Sequence, residues 1–265
     1  MNEKIGIIAM GNNFDSQIGG VMISIITVVK NGVKYIQQTI DSVVNQNYEK
    51  YEYIVIDGLS TDGTIEILER NINRIDYLVS EKDDGIYSAI NKGISVARGD
   101  IIGIISSSDW YQDDNVFDLI AQKHRDNPLA ILHGICKIYD ENGQFIHVSG
   151  EPFTCLNDHM FPHPSTFVPK KIYDTYGYFD EKFKIAADYE AMLRYRGKGV
   201  DFSFLDNVIA CFRIGGISSI NDLTKIETDQ IKEKYGLFRK VDDGFIRKYL
   251  KKIFYWILKV VEEKF

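Results

Sequence analysis

Four aspartates stand at places in the sequence where a folded chain can do chemistry. Asp109 follows the apolar run Ile101-Ile102-Gly103-Ile104-Ile105 and the small residues Ser106, Ser107 and Ser108. A run apolar on both faces suits a central strand of a covered parallel sheet. Ligands of open α/β sheets gather outside the carboxyl ends of such strands. A carboxylate placed there offers hard oxygen ligands to a divalent cation, which suits a diphosphate. Asp57 ends another strand, Tyr53 to Ile56, beside Gly58. Asp83 precedes a helix carrying Asn91 and Lys92, and Asp188 begins a helix after Phe183 to Ala187. Each has a plainer reading as a helix cap or a first-turn charge. We assign that reading to Asp62, Asp113 and Asp114; for Asp188 the residues alone leave the two readings level.

The elements that must position these side chains alternate. Ile23 to Val29 reads as a strand, Lys30-Asn31-Gly32 as a turn, and Tyr35 to Val44 repeats at helical spacing. The unit recurs with strand 53–56, the turn Asp57 to Gly63 and a helix from Thr64 to Arg70. A short strand 75–79, a helix 85–97 with Gly99 as a left-handed cap, and strand 101–105 follow. This order predicts an α/β domain, Rossmann-like, with a mostly parallel central sheet flanked by helices. Beyond Trp110 the spacing predicts a helix 113–124, a hairpin of strands 129–139 and 144–148, and an extended segment at Pro162-His163-Pro164. It then predicts helices 170–176 and 187–196 and strands around Phe202 and over 207–212. Three regions result: a leader 1–21, a main domain 22–220, and a helical extension 221–265.

A formal net charge of −7 argues against a nucleic-acid partner. Residues 232–265 depart from it, with ten Lys or Arg against five Asp or Glu. There Phe245, Ile246, Tyr249, Leu250, Ile253, Ile257, Val260 and Val261 make an apolar stripe beside basic residues and Trp256, the pattern of a helix lying on a membrane surface. Core packing is the rival reading. Cys136, Cys155 and Cys211, an odd number at wide spacing, fit neither a disulfide framework nor a zinc site. With no secretory signal and no long apolar span, the expected location is cytoplasmic, peripheral on the inner membrane.

The combination Thr27-Val28-Val29-Lys30-Asn31, Ile56-Asp57-Gly58-Leu59-Ser60-Thr61-Asp62-Gly63-Thr64, Asp83, Gly85-Ile86-Tyr87 and Asn91-Lys92-Gly93 resembles an inverting family 2 glycosyltransferase. Ser107-Ser108-Asp109-Trp110-Tyr111, His163-Pro164-Ser165 and Ala187-Asp188-Tyr189-Glu190 extend the resemblance over roughly residues 23–218. It implies the GT-A fold, a UDP-sugar donor and Mg²⁺ or Mn²⁺ on Asp109. It also implies a uracil site made by Asp57 with Thr27 and Val28, and an approach of Asp83 to nucleotide and donor sugar. Asn91, Lys92, Ser108, His163 and Arg213 complete the expected substrate contacts, Arg213 with a loop Gly215 to Ser218 that folds over the diphosphate. Asp188 becomes the base for an acceptor hydroxyl. The sequence departs from the family at Ser108, where many relatives carry a second aspartate.

The resulting expectation is a transferase that moves a hexose or N-acetylhexosamine onto a lipid-linked glycan in surface polysaccharide synthesis, such as capsule or lipopolysaccharide. The alternatives are an inactive membrane-associated scaffold, suggested by Ser108, and a nucleotidyltransferase. The latter is disfavoured because Lys30-Asn31-Gly32 is no glycine-rich phosphate loop. The C-terminal stripe predicts that the full chain floats with anionic liposomes and that a chain truncated at Gly236 does not. Equal recovery of both would eliminate this helix as an anchor.

Overall fold

Strand β2 (Ile23–Val29) is buried from end to end and occupies the middle of the sheet. Strands β3 (Tyr51–Asp57) and β5 (Ile101–Ile104) lie parallel on its two sides, and β4 (Tyr77–Ser80) continues the parallel set beyond β3. These strands are the ones the sequence predicts. The computed structural model describes residues 5–10, 20–215 and 221–237. The chain forms two compact units, residues 1–231 and 232–265.

Past β5 the sheet changes sense. Strand β9 (Thr166–Pro169) runs antiparallel between β5 and β7 (Ile131–Tyr139), β10 (Phe202–Arg213) lies parallel to β7, and β6 (Trp110–Tyr111) pairs antiparallel with β10. Strand β8 (Phe145–Ser149) folds back on β7 as the expected hairpin. The parallel half is thus as predicted and the sheet as a whole is mixed. Strand β1 (Ile5–Met10), placed by the sequence in an unstructured leader, pairs antiparallel with β4, whose outer backbone groups would otherwise lack partners.

Helices cover both faces. Ile36, Ile40 and Val43 of α1 (Ile36–Val44), Leu68 of α2 (Thr64–Arg70) and Phe117 and Ile120 of α4 (Val116–Asp126) share one core with Ile23, Ile25 and Val29. Strand alternation turns Ile26 to the other face, where α3 (Ile86–Val96) packs so close that a Cβ on Gly93 would sit 2.5 Å from Ile26. Helices α5 (Lys170–Tyr176), α6 (Ala187–Gly197) and α7 (Asn221–Lys234) complete the described chain.

Several expectations change. Gly99 is not a left-handed cap; α3 ends at Ala97 in an extended conformation. Glu52, 2% exposed, accepts from Ser24 Oγ at 2.6 Å and Arg98 Nε at 2.8 Å, and Gly99 N donates to Ser24 Oγ at 2.8 Å. The glycine is there because the chain passes against β2. The strands expected around Phe202 and over 207–212 are one strand, β10, interrupted by two register shifts against β7. His163 lies in a 3₁₀ turn, His163–Ser165, rather than an extended segment, since Ser165 N donates back to Pro162 O. The stripe Phe245 to Val261 and the loop Gly216 to Ser218 fall outside the described residues. Among those residues no helix is long and apolar enough to cross a membrane.

A Cβ on Gly99 would stand 2.6 Å from Ser24 N and 2.9 Å from Met22 O, backbone atoms that cannot yield. Gly99→Ala should therefore cost about 1–3 kcal/mol in urea unfolding. Gly197→Ala, with nothing within 4 Å, should cost nothing and can gain up to about 1 kcal/mol from helix propensity. Equal stability of the two variants would refute the close-approach account.

Candidate active site

The loops after β2 and β3 are laced together by side chains. Asn31 N donates to Ser60 Oγ at 2.7 Å, Thr61 N to Asn31 Oδ1 at 2.8 Å, Gly32 N to Thr64 Oγ1 at 2.9 Å and Val33 N to Asp62 Oδ2 at 3.0 Å. Asn31 and Leu59 hold left-handed φ values of 54° and 58°, strained for residues other than glycine and held by this lacing. Asp62 also accepts from Thr64 N at 3.1 Å and so steadies the helix start, although the N-cap itself is Gly63 rather than the expected Asp62.

Asp57, fully buried at the end of β3, accepts from Ser60 N at 3.0 Å and Ser80 Oγ at 2.6 Å. Asp83 comes beside it: a Cβ on Gly58 would lie 3.3 Å from Asp83 Oδ2. Lys92 bonds Asp83 Oδ1 and pairs with Glu81 at 2.8 Å. Burial raises the Asp83 pKa, and the Lys92 ammonium opposes that rise. The structure thus brings Asp57, Asp83 and Lys92 to one sheet end. Three expected substrate residues have side chains engaged within the chain. The Thr27 hydroxyl points into the core, where Tyr53 donates to it at 3.1 Å, and Val28 is buried too. Asn91 spends its amide on the chain: Nδ2 donates to Phe179 O at 3.0 Å and Glu181 Oε1 at 2.9 Å, and Oδ1 accepts from Phe179 N at 3.1 Å. It is a clamp between α3 and that segment.

Asp109 is 1% exposed. Its Oδ1 accepts from Arg213 N at 3.1 Å, the Ser108 hydroxyl favours the charged form of the same carboxylate, and Thr39 Oγ1 donates to the Asp109 carbonyl at 2.7 Å. Among the described residues its Oδ2 is the buried carboxylate oxygen without a protein partner, and Arg213 Nε likewise has none. The Arg213 guanidinium lies between Tyr35, 4.1 Å from the ring centroid, and Trp110, at 5.0 Å, with Nη2 donating to Gln38 at 2.9 Å. Burial pushes the Asp109 carboxyl up to about 7, against the pull of Arg213. A buried oxygen left open is costly unless a ligand completes it. A divalent cation fits it, with Asp109 as the protein's anionic ligand.

Asp188 sits in the first turn of α6 but does not cap it; the N-cap is Ala186. Tyr87 OH donates to Asp188 Oδ1 at 3.1 Å and to Ile185 O at 2.6 Å. Burial lowers the His163 pKa, and the Asp188 charge opposes this. The backbone entering the helix is gripped by buried Glu227 of α7, which accepts from Lys184 N at 2.7 Å and from Ile185 N and Ala186 N, each at 2.9 Å. The His163 turn in its turn packs on β5, β7 and β10, strands that also border Asp109 and Arg213. Sequence reading missed Tyr87 and Glu227 as members of the site. Tyr87 carried a signal, being part of a quoted motif, whereas Glu227 lies in a polar helix with nothing to mark it.

The family model for glycosyl transferase family 2 matches residues 24–196. Glycosyltransferase GlyG of Streptococcus pneumoniae serotype 4 is 31% identical over 142 residues; these cover 52% of this chain, and the chain spans 46% of that relative. S. aureus TarS 1-349, solved with UDP-GlcNAc, superposes with a TM-score of 0.63 at 18% identity over 81% of this chain and 71% of that one. Mannosyltransferase PcManGT of Pyrobaculum calidifontis, solved with GDP-Man and Mn²⁺, gives 0.61 at 17% identity over 75% and 59%.

The raised Asp109 pKa has a sign that can be tested. Between its unfolded value near 4 and its folded value of about 7 the native chain holds a proton that the unfolded chain has lost. That stabilisation is complete in acid and disappears as pH rises through about 7. Asp109→Asn should therefore melt higher than the parent near pH 8, by up to about 4 kcal/mol of stability at about 1.4 kcal/mol per pKa unit. The advantage should vanish near pH 4. A constant difference across that range would show that Asp109 is not held in this way.

Proposed function

The chain belongs to glycosyl transferase family 2, and on that premise we propose that it moves a hexose or N-acetylhexosamine from a UDP-sugar to a lipid-linked glycan, inverting the anomeric carbon. Its fold is GT-A. The observation that carries the catalytic part of this reading is the fixed Asp188 carboxylate, with one oxygen tied to Tyr87 and the backbone just before it, at Ile185 and Ala186, tied to Glu227. A general base must have its orientation settled before the substrate arrives.

In this reading Asp57 and Asp83 meet the nucleotide. Asp109, with the Ser108 hydroxyl beside it, holds Mg²⁺ or Mn²⁺, which when bound neutralises charge on the diphosphate. Asp188 accepts the proton of the acceptor hydroxyl while the acceptor's oxygen forms a bond to the anomeric carbon. The bond from that carbon to the diphosphate oxygen breaks, and UDP leaves with its electron pair. Tyr87, His163 and Glu227 are positioning residues. Support for a nucleotide-sugar donor and for the metal comes from TarS with UDP-GlcNAc and PcManGT with GDP-Man and Mn²⁺. The retained Asp109 with its open oxygen weighs against an inactive scaffold. The basic C-terminal stripe supports a lipid-linked acceptor and a place at the cytoplasmic face of a membrane.

Asp188→Asn should lower the transfer rate by about 10²–10⁴-fold while the melting shift produced by UDP with Mn²⁺ stays as in the parent. Glu227→Gln should lower kcat with little change in the donor KM. Transfer at the parental rate by Asp188→Asn would remove this residue from the chemistry.

A further inference from the structure

We propose that Glu151, Cys155 and His159 form a site for one Zn²⁺ ion, distinct from the Asp109 site in donor chemistry and in place. One donor atom from each of the three side chains lies within 4.8 Å of the other two, and His159 Nε2 stands 3.8 Å from Glu151 Oε2. Cys155 and His159 are four residues apart on a helical turn closed by His159 N donating to Cys155 O at 2.9 Å. This turn, at the end of the 3₁₀ helix Phe153–Asn157, brings the imidazole back beside the thiol. The thiol is buried, whereas Glu151 and His159 are exposed, so an ion can enter from solvent.

The donor set selects the metal. A thiolate and an imidazole suit Zn²⁺, whereas Asp109 offers hard oxygen suited to Mg²⁺ or Mn²⁺. Bonds of roughly 2.0–2.3 Å in a tetrahedron draw donors to roughly 3.5 Å apart, a movement of about an ångström that exposed side chains can make. On binding, the Cys155 thiol gives its proton to solvent and the ion takes the thiolate, with water at the fourth position. Cysteine spacing alone hides this site because its other two donors are a glutamate and a histidine.

The ion would tie down a segment that abuts α6. Tyr189 OH donates to Leu156 O at 2.9 Å and Arg196 Nη1 to Asn157 Oδ1 at 3.1 Å, so the 3₁₀ turn Phe153–Asn157 rests on the helix bearing Asp188. A metal joining residues 151, 155 and 159 closes that turn from both ends. Its role here is structural, and it takes no part in transfer.

Titration of the metal-free full chain with Co²⁺ tests the site directly. One equivalent should give a thiolate-to-cobalt charge-transfer absorption that Zn²⁺ abolishes by displacement. The band should be absent in Cys155→Ser and require at least about tenfold more Co²⁺ in His159→Ala, an exposed position whose change cannot unfold the chain. It should persist in Asp109→Asn. No thiolate band in the parent, or a titration that His159→Ala leaves unaltered, would overturn the proposal.

Discussion

A buried carboxylate oxygen without a partner is the constraint on which this structure turns. Asp109 is sunk in the turn between β5 and β6, with Oδ1 tied to the Arg213 backbone and Oδ2 facing no protein donor. Burial alone holds its proton to about pH 7, so the folded chain carries a cost that better packing or a second donor would have removed. Stability given up at a single acidic side chain is characteristic of a site completed by something that binds. The neighbouring Arg213, pressed between two aromatic rings and with Nε open, belongs to the same unfinished surface.

The rest of the molecule supplies rigidity around that point. Apolar strands β2, β3 and β5 leave nothing polar in the sheet interior except anchored groups such as Glu52, so reactive side chains are confined to strand ends. Side-chain lacing between the first two loops fixes Asp57, and Lys92 fixes Asp83. Tyr87 holds the Asp188 carboxylate, and Glu227 holds the backbone at residues 184–186 just before it, so the base is fixed from two separate elements. Glu227 lies beyond the residues matched by the family model. The helix that carries it is thus part of the working unit, although its sequence reads as the start of an appendage.

The parallel half of the fold was legible because each strand and helix there carries its own period, turn and polar end. Asp57, Asp83 and Asp109 drew attention because carboxylates beside strand ends or helix starts stand out against apolar runs, whereas Asp188 was singled out only by the family pattern around it. What escaped depends on partners far along the chain. Strand β9 enters the sheet between β5 and β7, a placement no local pattern encodes. Asn91 looked like a ligand contact because an amide on a helix gives no sign that residues 179 and 181 will take it. Gly99 looked like a helix cap, yet its cause is the β2 backbone against which it lies. The turn at His163 followed from a single hydrogen bond back to Pro162, where the flanking prolines suggested extension.

The most direct test of the central claim is a crystal structure of the full chain with UDP and Mn²⁺, read by anomalous scattering from manganese. The account predicts a manganese peak within coordination distance of Asp109 Oδ2, between that oxygen and the diphosphate. Manganese bound to UDP at another carboxylate, with Asp109 Oδ2 still bare, would contradict it.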